Sequence, residues 1–162
     1  MPFLLFPDKL FKFGKTPDNT VDDIRSVSVS CGHMDCSHCY SFHLRKSKFG
    51  WIFDAEYAED TGSPLTSYEE CTVTAEDAKE LLNTVLKQNL PAKLKSYKKP
   101  KIKAFALDET TYYTSIAFAN GTTLGAPIHS EDTEACFYRL AKKIRRQISA
   151  DKQLIFSKHE SI

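Results

Sequence analysis

The stretch that decides the fold runs from residue 40 to residue 58. It reads Tyr40-Ser41-Phe42-His43-Leu44-Arg45, then Lys46-Ser47-Lys48-Phe49-Gly50, then Trp51-Ile52-Phe53-Asp54-Ala55-Glu56-Tyr57-Ala58. Tyr40, Phe42 and Leu44 alternate with Ser41, His43 and Arg45. Trp51, Phe53, Ala55 and Tyr57 share one side of the second arm, with Asp54 and Glu56 on the other. Successive side chains of a strand point to opposite sides of a sheet, so a period of two gives each arm one apolar and one polar face. The connection closed by Gly50 is short enough to be a turn. Together these residues predict an antiparallel meander with one wet face.

The pattern extends both ways. Upstream, Ile24, Ser26, Ser28 and Ser30 alternate with Arg25, Val27, Val29 and Cys31, a further strand. A loop rich in Gly, His, Asp and Cys joins it to Tyr40. Downstream, a polar loop at 59–67 leads to a short extended stretch from Tyr68 to Val73. Thr74-Ala75-Glu76-Asp77 then reads as a capping box with Asp in the usual Glu position. Behind it Ala78, Leu81, Leu82, Val85 and Leu86 recur at helical spacing. Asn89 ends that helix before Leu90 and Pro91, because the residue preceding proline avoids the α region. Residues 91–101 read as a lysine-rich connection.

Residues 102–107 and 111–119 read as strands, and Asn120-Gly121 signals a type I′ hairpin returning through 122–126. Pro127 stops the chain's extended run. Ser130 or Asp132 caps a second helix with the stripe Phe137, Leu140, Ala141, Ile144 and Ile148. The tail, 151–162, carries Leu154-Ile155-Phe156 and is expected as a C-terminal tail or edge strand.

The order predicts an α+β domain at 24–150, a mostly antiparallel sheet built from two β-β-β-α units, with a degenerate repeat at 24–90 and 101–148. A sheet with one apolar face needs a cover, which the two helices supply from one side. Two sheets packed face to face are the alternative. Residues 1–23 form an N-terminal arm and linker, whose Phe3, Phe6, Leu10, Phe11 and Phe13 can dock on the body or on a neighbouring chain.

The 162 residues are 41% apolar and 27% charged, which excludes a disordered tail, a collagen-like fibre and a coiled-coil rod. No apolar run approaches the length of a membrane span, and the start lacks the layout of a secretory signal, so a cytoplasmic protein is expected. The net charge of +1 hides an asymmetry. Residues 1–90 carry 9 Lys and Arg against 14 Asp and Glu; residues 91–162 carry 13 against 7. The basic excess sits at 93–103 and at Lys142, Lys143, Arg145 and Arg146. Acidic residues gather around Asp54–Asp60 and Glu69–Glu80. Such a split can serve a nucleic acid, a dipolar surface for head-to-tail self-association, or solubility alone. A pI near 7.6 is low for a polyanion binder, so nucleic acid is not the expected partner.

Five cysteines in a chain of this length argue against a disulfide scaffold. Cys71 and Cys136 fall on apolar faces and read as small buried hydrophobes. One segment can carry chemistry: Cys31, His33, Cys36, His38, Cys39 and His43 lie within 13 residues. Zinc takes four thiolate or imidazole ligands, and Cys36-x2-Cys39 with Cys31 or His33 is the candidate metal set. Against it, no second Cys-x2-Cys exists to complete a site. A redox pair Cys36–Cys39 lacks the helix that would activate it. The signatures of dinucleotide, P-loop, zinc-protease and nucleophile-elbow sites are absent. A Cys71–His129 dyad is only arithmetic, and Asp54 and Glu56 lie on a wet face. No catalytic residue is assigned.

Ser41–Lys46, Gly50–Glu56, Val73–Leu82 and Asp108–Thr123 together resemble a family of small uncharacterised proteins from anaerobic gut bacteria, across roughly residues 24–145. The shared motifs are strand, turn and cap residues. The resemblance therefore implies a bacterial protein of this fold and no activity, cofactor or site residue, and the cysteines stand outside it. The expectation is a non-catalytic binding domain that meets a protein partner or itself through a sheet face or edge, with Tyr97, Tyr112 and Tyr113 as contacts. Zinc binding by Cys31, His33, Cys36 and Cys39, and weak nucleic-acid binding through 93–103 and 142–146, are the alternatives.

Overall fold

The structure, a computed structural model, describes residues 20–32, 39–58, 64–99 and 110–160, the last nine of these by backbone only. The expected N-terminal arm up to residue 19, His33, Cys36 and the strand expected at 102–107 lie outside the described residues. A single 3-10 turn, Val21–Asp23, leads into β1 (Ile24–Gly32), β2 (Tyr40–Ser47), β3 (Gly50–Ala58) and β4 (Leu65–Val73). Helices α1 (Ala75–Lys87) and α2 (Leu90–Ser96) follow, then β5 (Thr111–Phe118), β6 (Thr123–Ala126) and α3 (Glu131–Glu160). All strand pairs are antiparallel, in one sheet of order β4-β3-β2-β1-β5-β6. The fold is α+β, and β1 joins the two halves edge to edge by pairing with both β2 and β5.

The alternation at 40–58 becomes the core. Tyr40, Phe42, Leu44, Phe53, Ala55 and Tyr57 are buried in one cluster with Leu81, Leu82 and Val85 of α1 and Phe137, Ala141 and Ile144 of α3. Phe42 is its centre: its ring lies 5.5 Å from that of Phe137 and 6.0 Å from that of Phe53, both nearly parallel, with Tyr138 edge-on at 5.0 Å. Two polar clamps hold α1 antiparallel to α3. Gln88 donates to Asp132 at one end, and Lys143 pairs with Asp77 at 2.8 Å at the other.

Local chemistry accounts for most boundaries. The Thr74 hydroxyl accepts from the Asp77 N–H, as the capping box requires. Ser130, not Asp132, caps α3: its Oγ accepts from Thr133 N and donates to Thr133 Oγ1. At Ile24/Ser26 a register shift against β5 interrupts the ladder, so Ile24 and Val27 both bury although strict alternation would put them on opposite faces.

Four expectations need correction. The hairpin at 118–123 forms, but not as type I′. Gly121 has φ 89° while Asn120 stays at negative φ, and Gly121 N donates to Phe118 O. That is a type I turn closed by a glycine bulge, which needs one left-handed residue rather than two. Residues 90–96 are a helix, not a connection. Asn89 at φ 56° ends α1, and Pro91 sits in the first turn of α2, where its missing N–H costs nothing. β4 begins at Leu65, inside the stretch expected as loop. The tail is not an edge strand, for α3 runs on through Leu154-Ile155-Phe156 to Glu160. Three apolar residues in a row carry neither period, and the preceding helix simply continues. Among the described residues no helix is long and apolar enough to cross a membrane.

Candidate functional site

Register draws a row of polar-headed side chains across one end of the sheet on the core side. Tyr57 of β3 faces Tyr40 of β2, Tyr40 faces Cys31 of β1, and Cys31 faces Tyr112 of β5. The first two turns of α3 overhang this row. The Tyr138 ring meets those of Tyr40 and Tyr57 edge-on at 5.7 and 5.8 Å. One turn earlier, the Glu134 carboxylate contacts His129 Nε2 and accepts from the Tyr40 hydroxyl. The His129 ring stacks on Tyr112 at 3.9 Å. Glu134 thus ties α3, the segment before it and the sheet together.

The electrostatics of this cluster hold its thiol and phenols protonated. Burial, then the nearby Glu134 charge, pushes the Cys31 thiol up, with Cys39 adding to it. Burial and Glu134 raise Tyr40 well beyond the usual phenol range, and raise Tyr138 to about 12. Tyr112 is raised by burial first, then by Cys31 and Glu134. A protonated phenol donates to a carboxylate, so these groups act as a hydrogen-bonded latch; a nucleophile would need the opposite shift. Outside the latch lies a shallow groove of about 540 Å³ lined by His129, Glu131, Glu134, Tyr138, Arg139 and Lys142.

Of the candidate metal ligands, Cys31 turns into the core and Cys39 is half-buried next to Tyr40. His33 and Cys36 lie outside the described residues, and among those described no three His, Cys, Asp or Glu side chains converge on a metal position. Cys71 and His129 are not brought together: Cys71 is on β4 and His129 leans on β5, with β3, β2 and β1 between. Tyr112 belongs to the latch, while Tyr113 and Tyr97 are exposed. Sequence reasoning missed Glu134 and weighed His129 only against Cys71, because nothing local marks an acid that meets a tyrosine 94 positions earlier.

A second arrangement lies on the open face. Straight across the strands, Asp54 faces His43, His43 faces Ser28, and Ser28 faces Ser115. These are the residue types of a hydrolytic triad, but their contacts are not. His43 Nδ1 is 3.9 Å from Asp54, beyond a hydrogen bond. Asp54 is already engaged by Arg45 Nε at 3.3 Å and by the Glu70 N–H at 2.8 Å. The second contact caps a bulge in which Glu69 and Glu70 together oppose Asp54, with Glu70 at φ 52°. His43 is lowered by burial first, partly offset by Asp54.

The two margins of the sheet differ in charge. β4 is one margin, with Leu65, Ser67 and Thr72 exposed on the open face, and with Glu69 and Glu70 exposed beside Glu56 of β3. The other margin is β6 with α2 packed on it, bearing exposed Lys93, Lys98 and Lys99 and the Tyr97 ring. Part of the charge split of the sequence therefore becomes a split across the sheet, with Glu69 and Glu70 at one margin and Lys93, Lys98 and Lys99 at the other. Of the second basic segment, Lys143 is spent on Asp77, and Lys142 and Arg146 are exposed on α3. Comparison of the chain with protein-family models, with curated proteins and with solved structures found no match.

Proposed function

We propose that this chain is a non-catalytic binding domain that engages an extended partner along the β4 edge. The observation that carries the reading is β4 itself. Among the described residues it pairs only with β3, and its outward N–H and C=O groups form a template for another strand. Leu65 to Val73 contains neither Lys nor Pro, the residues that commonly blunt such an edge. The regular stretch Leu65–Tyr68 ends at the bulge, and Glu69 and Glu70 stand beside it. An extended partner carrying Lys or Arg matches that chemistry. The protonated state of the Cys31 and Tyr40 cluster supports a binding role over a catalytic one.

The test is fluorescence anisotropy with two labelled extended peptides, one of Lys, Thr and Val and one of Glu, Thr and Val. Saturable binding of the basic peptide alone, lost in Glu69→Lys/Glu70→Lys, is expected. Equal binding of both peptides, or of neither, overturns the reading.

A further inference from the structure

The reading of β4 as a binding edge leaves open what occupies it, and the opposite margin of the same sheet supplies an answer. We propose that the occupant is a second copy of this chain, docked head to tail, with the acidic β4 margin of one protomer against the basic α2–β6 margin of the next. The inference rests on the binding-edge reading and adds the partner to it.

Both halves of the contact are present on one chain. Glu69, Glu70 and Glu56 gather at the β4 side; Lys93, Lys98 and Lys99 gather on and just after α2, which packs on β6. Among the described residues, Glu69 and these three lysines make no ion pair, and Glu70 reaches only Arg45, at 3.7 Å. Six strands place the margins about 24 Å apart at the usual spacing of about 4.8 Å. That exceeds twice the screening length of about 8–10 Å at physiological salt, so the two patches do not neutralise each other within one molecule. Between molecules they meet directly.

The remaining terms favour this pairing over its rivals. With a net charge of +1, two copies do not repel at long range, so local complementarity decides the approach. A symmetric pairing of β4 with β4 of a second copy would bring Glu69 and Glu70 of both chains together, which like charge opposes. Two different surfaces in contact make a heterologous interface, which propagates beyond a dimer unless the rotation closes a ring.

Sedimentation velocity of the full chain tests this, at about 20 mM and about 0.5 M salt, across a range of concentrations. The wild type is expected to form larger species as concentration rises at low salt and to lose them at high salt. Glu69→Lys/Glu70→Lys has two basic margins, and Lys93→Glu/Lys98→Glu has two acidic ones. Each is expected to stay monomeric alone, and an equimolar mixture to regain assembly. Glu69→Lys by itself, which leaves the Glu70 bulge intact, is expected to weaken assembly in the same direction. A wild type that is monomeric at low salt, variants that assemble unchanged, or a mixture that stays monomeric would each overturn the proposal. A monomeric wild type that still binds the basic peptide refutes self-assembly and leaves the β4 edge standing; loss of both refutes both.

Discussion

Among the described residues, two histidine–carboxylate pairs stand on opposite sides of the same sheet. His129 contacts Glu134 directly, beneath α3, with a tyrosine ring stacked on the imidazole and a tyrosine hydroxyl on the carboxylate. His43 stands 3.9 Å from Asp54 on the open face, and Asp54 prefers an arginine and a backbone N–H. The first pair is built from distant segments and joins a helix to the sheet. The second follows from cross-strand register alone. A shared residue type thus carries two different meanings, and burial with hydrogen bonding decides which pair the structure depends on.

The comparison breaks most severely if the covered face loses its centre. Phe42→Ala removes the ring that three other aromatics stack against and should cost about 3–5 kcal/mol, read from urea unfolding. Glu134→Gln comes next. It weakens the acceptor for His129 and Tyr40 and is expected to cost about 1–3 kcal/mol, whereas Asp54→Asn on the open face should cost about 1 kcal/mol or less. Equal losses at both sites would erase the distinction drawn between the pairs.

pH separates the two sides with opposite signs. Tyr138 is raised to about 12, so its folded form holds the proton more tightly than the unfolded chain. Its contribution is complete below the ordinary phenol pKa near 10 and is lost as pH climbs toward 12. Tyr138→Phe should flatten the alkaline loss of stability between those values. His43 is lowered, so the unfolded chain takes up the proton first. Its contribution is complete above about pH 6.5 and is lost as pH falls below that. His43→Gln should remove part of the acid-side slope, and the His43 ring should titrate below 6.5 by NMR.

The smallest expected effect is at Ser28. Ser28→Ala should shift stability by no more than about 0.5 kcal/mol, and hydrolysis of p-nitrophenyl acetate should be the same for wild type and variant. Hydrolysis that depends on Ser28 would turn the open-face row from a product of register into a site.

Much of the fold was legible because short-range rules suffice for it. Alternation at 40–44 and 51–57 placed the core face, Thr74 placed the start of α1, and Asn120-Gly121 placed the last hairpin. Where one more local choice entered, the reading slipped. Asn-Gly serves both a type I′ turn and a glycine-bulge turn. Pro91 ends one helix and equally opens another. Leu154-Ile155-Phe156 has no period of its own. The chemistry was less legible. The cysteine-rich segment drew notice by composition, yet the described part of it gives Cys31 to the core, and the groups around Cys31 come from β2, β5 and α3.

The sequence by itself determined the strand faces, the caps and the unequal charge of the two halves, since each depends on residues a few positions apart. Only the tertiary structure decided that Glu134 meets Tyr40, that β1 joins the halves into one sheet, and that Glu69 and Glu70 lie at the margin opposite Lys93, Lys98 and Lys99. Those outcomes depend on which strands become neighbours, and neighbour choice is set by burying both helices' apolar stripes against one continuous face, a condition that no local window contains.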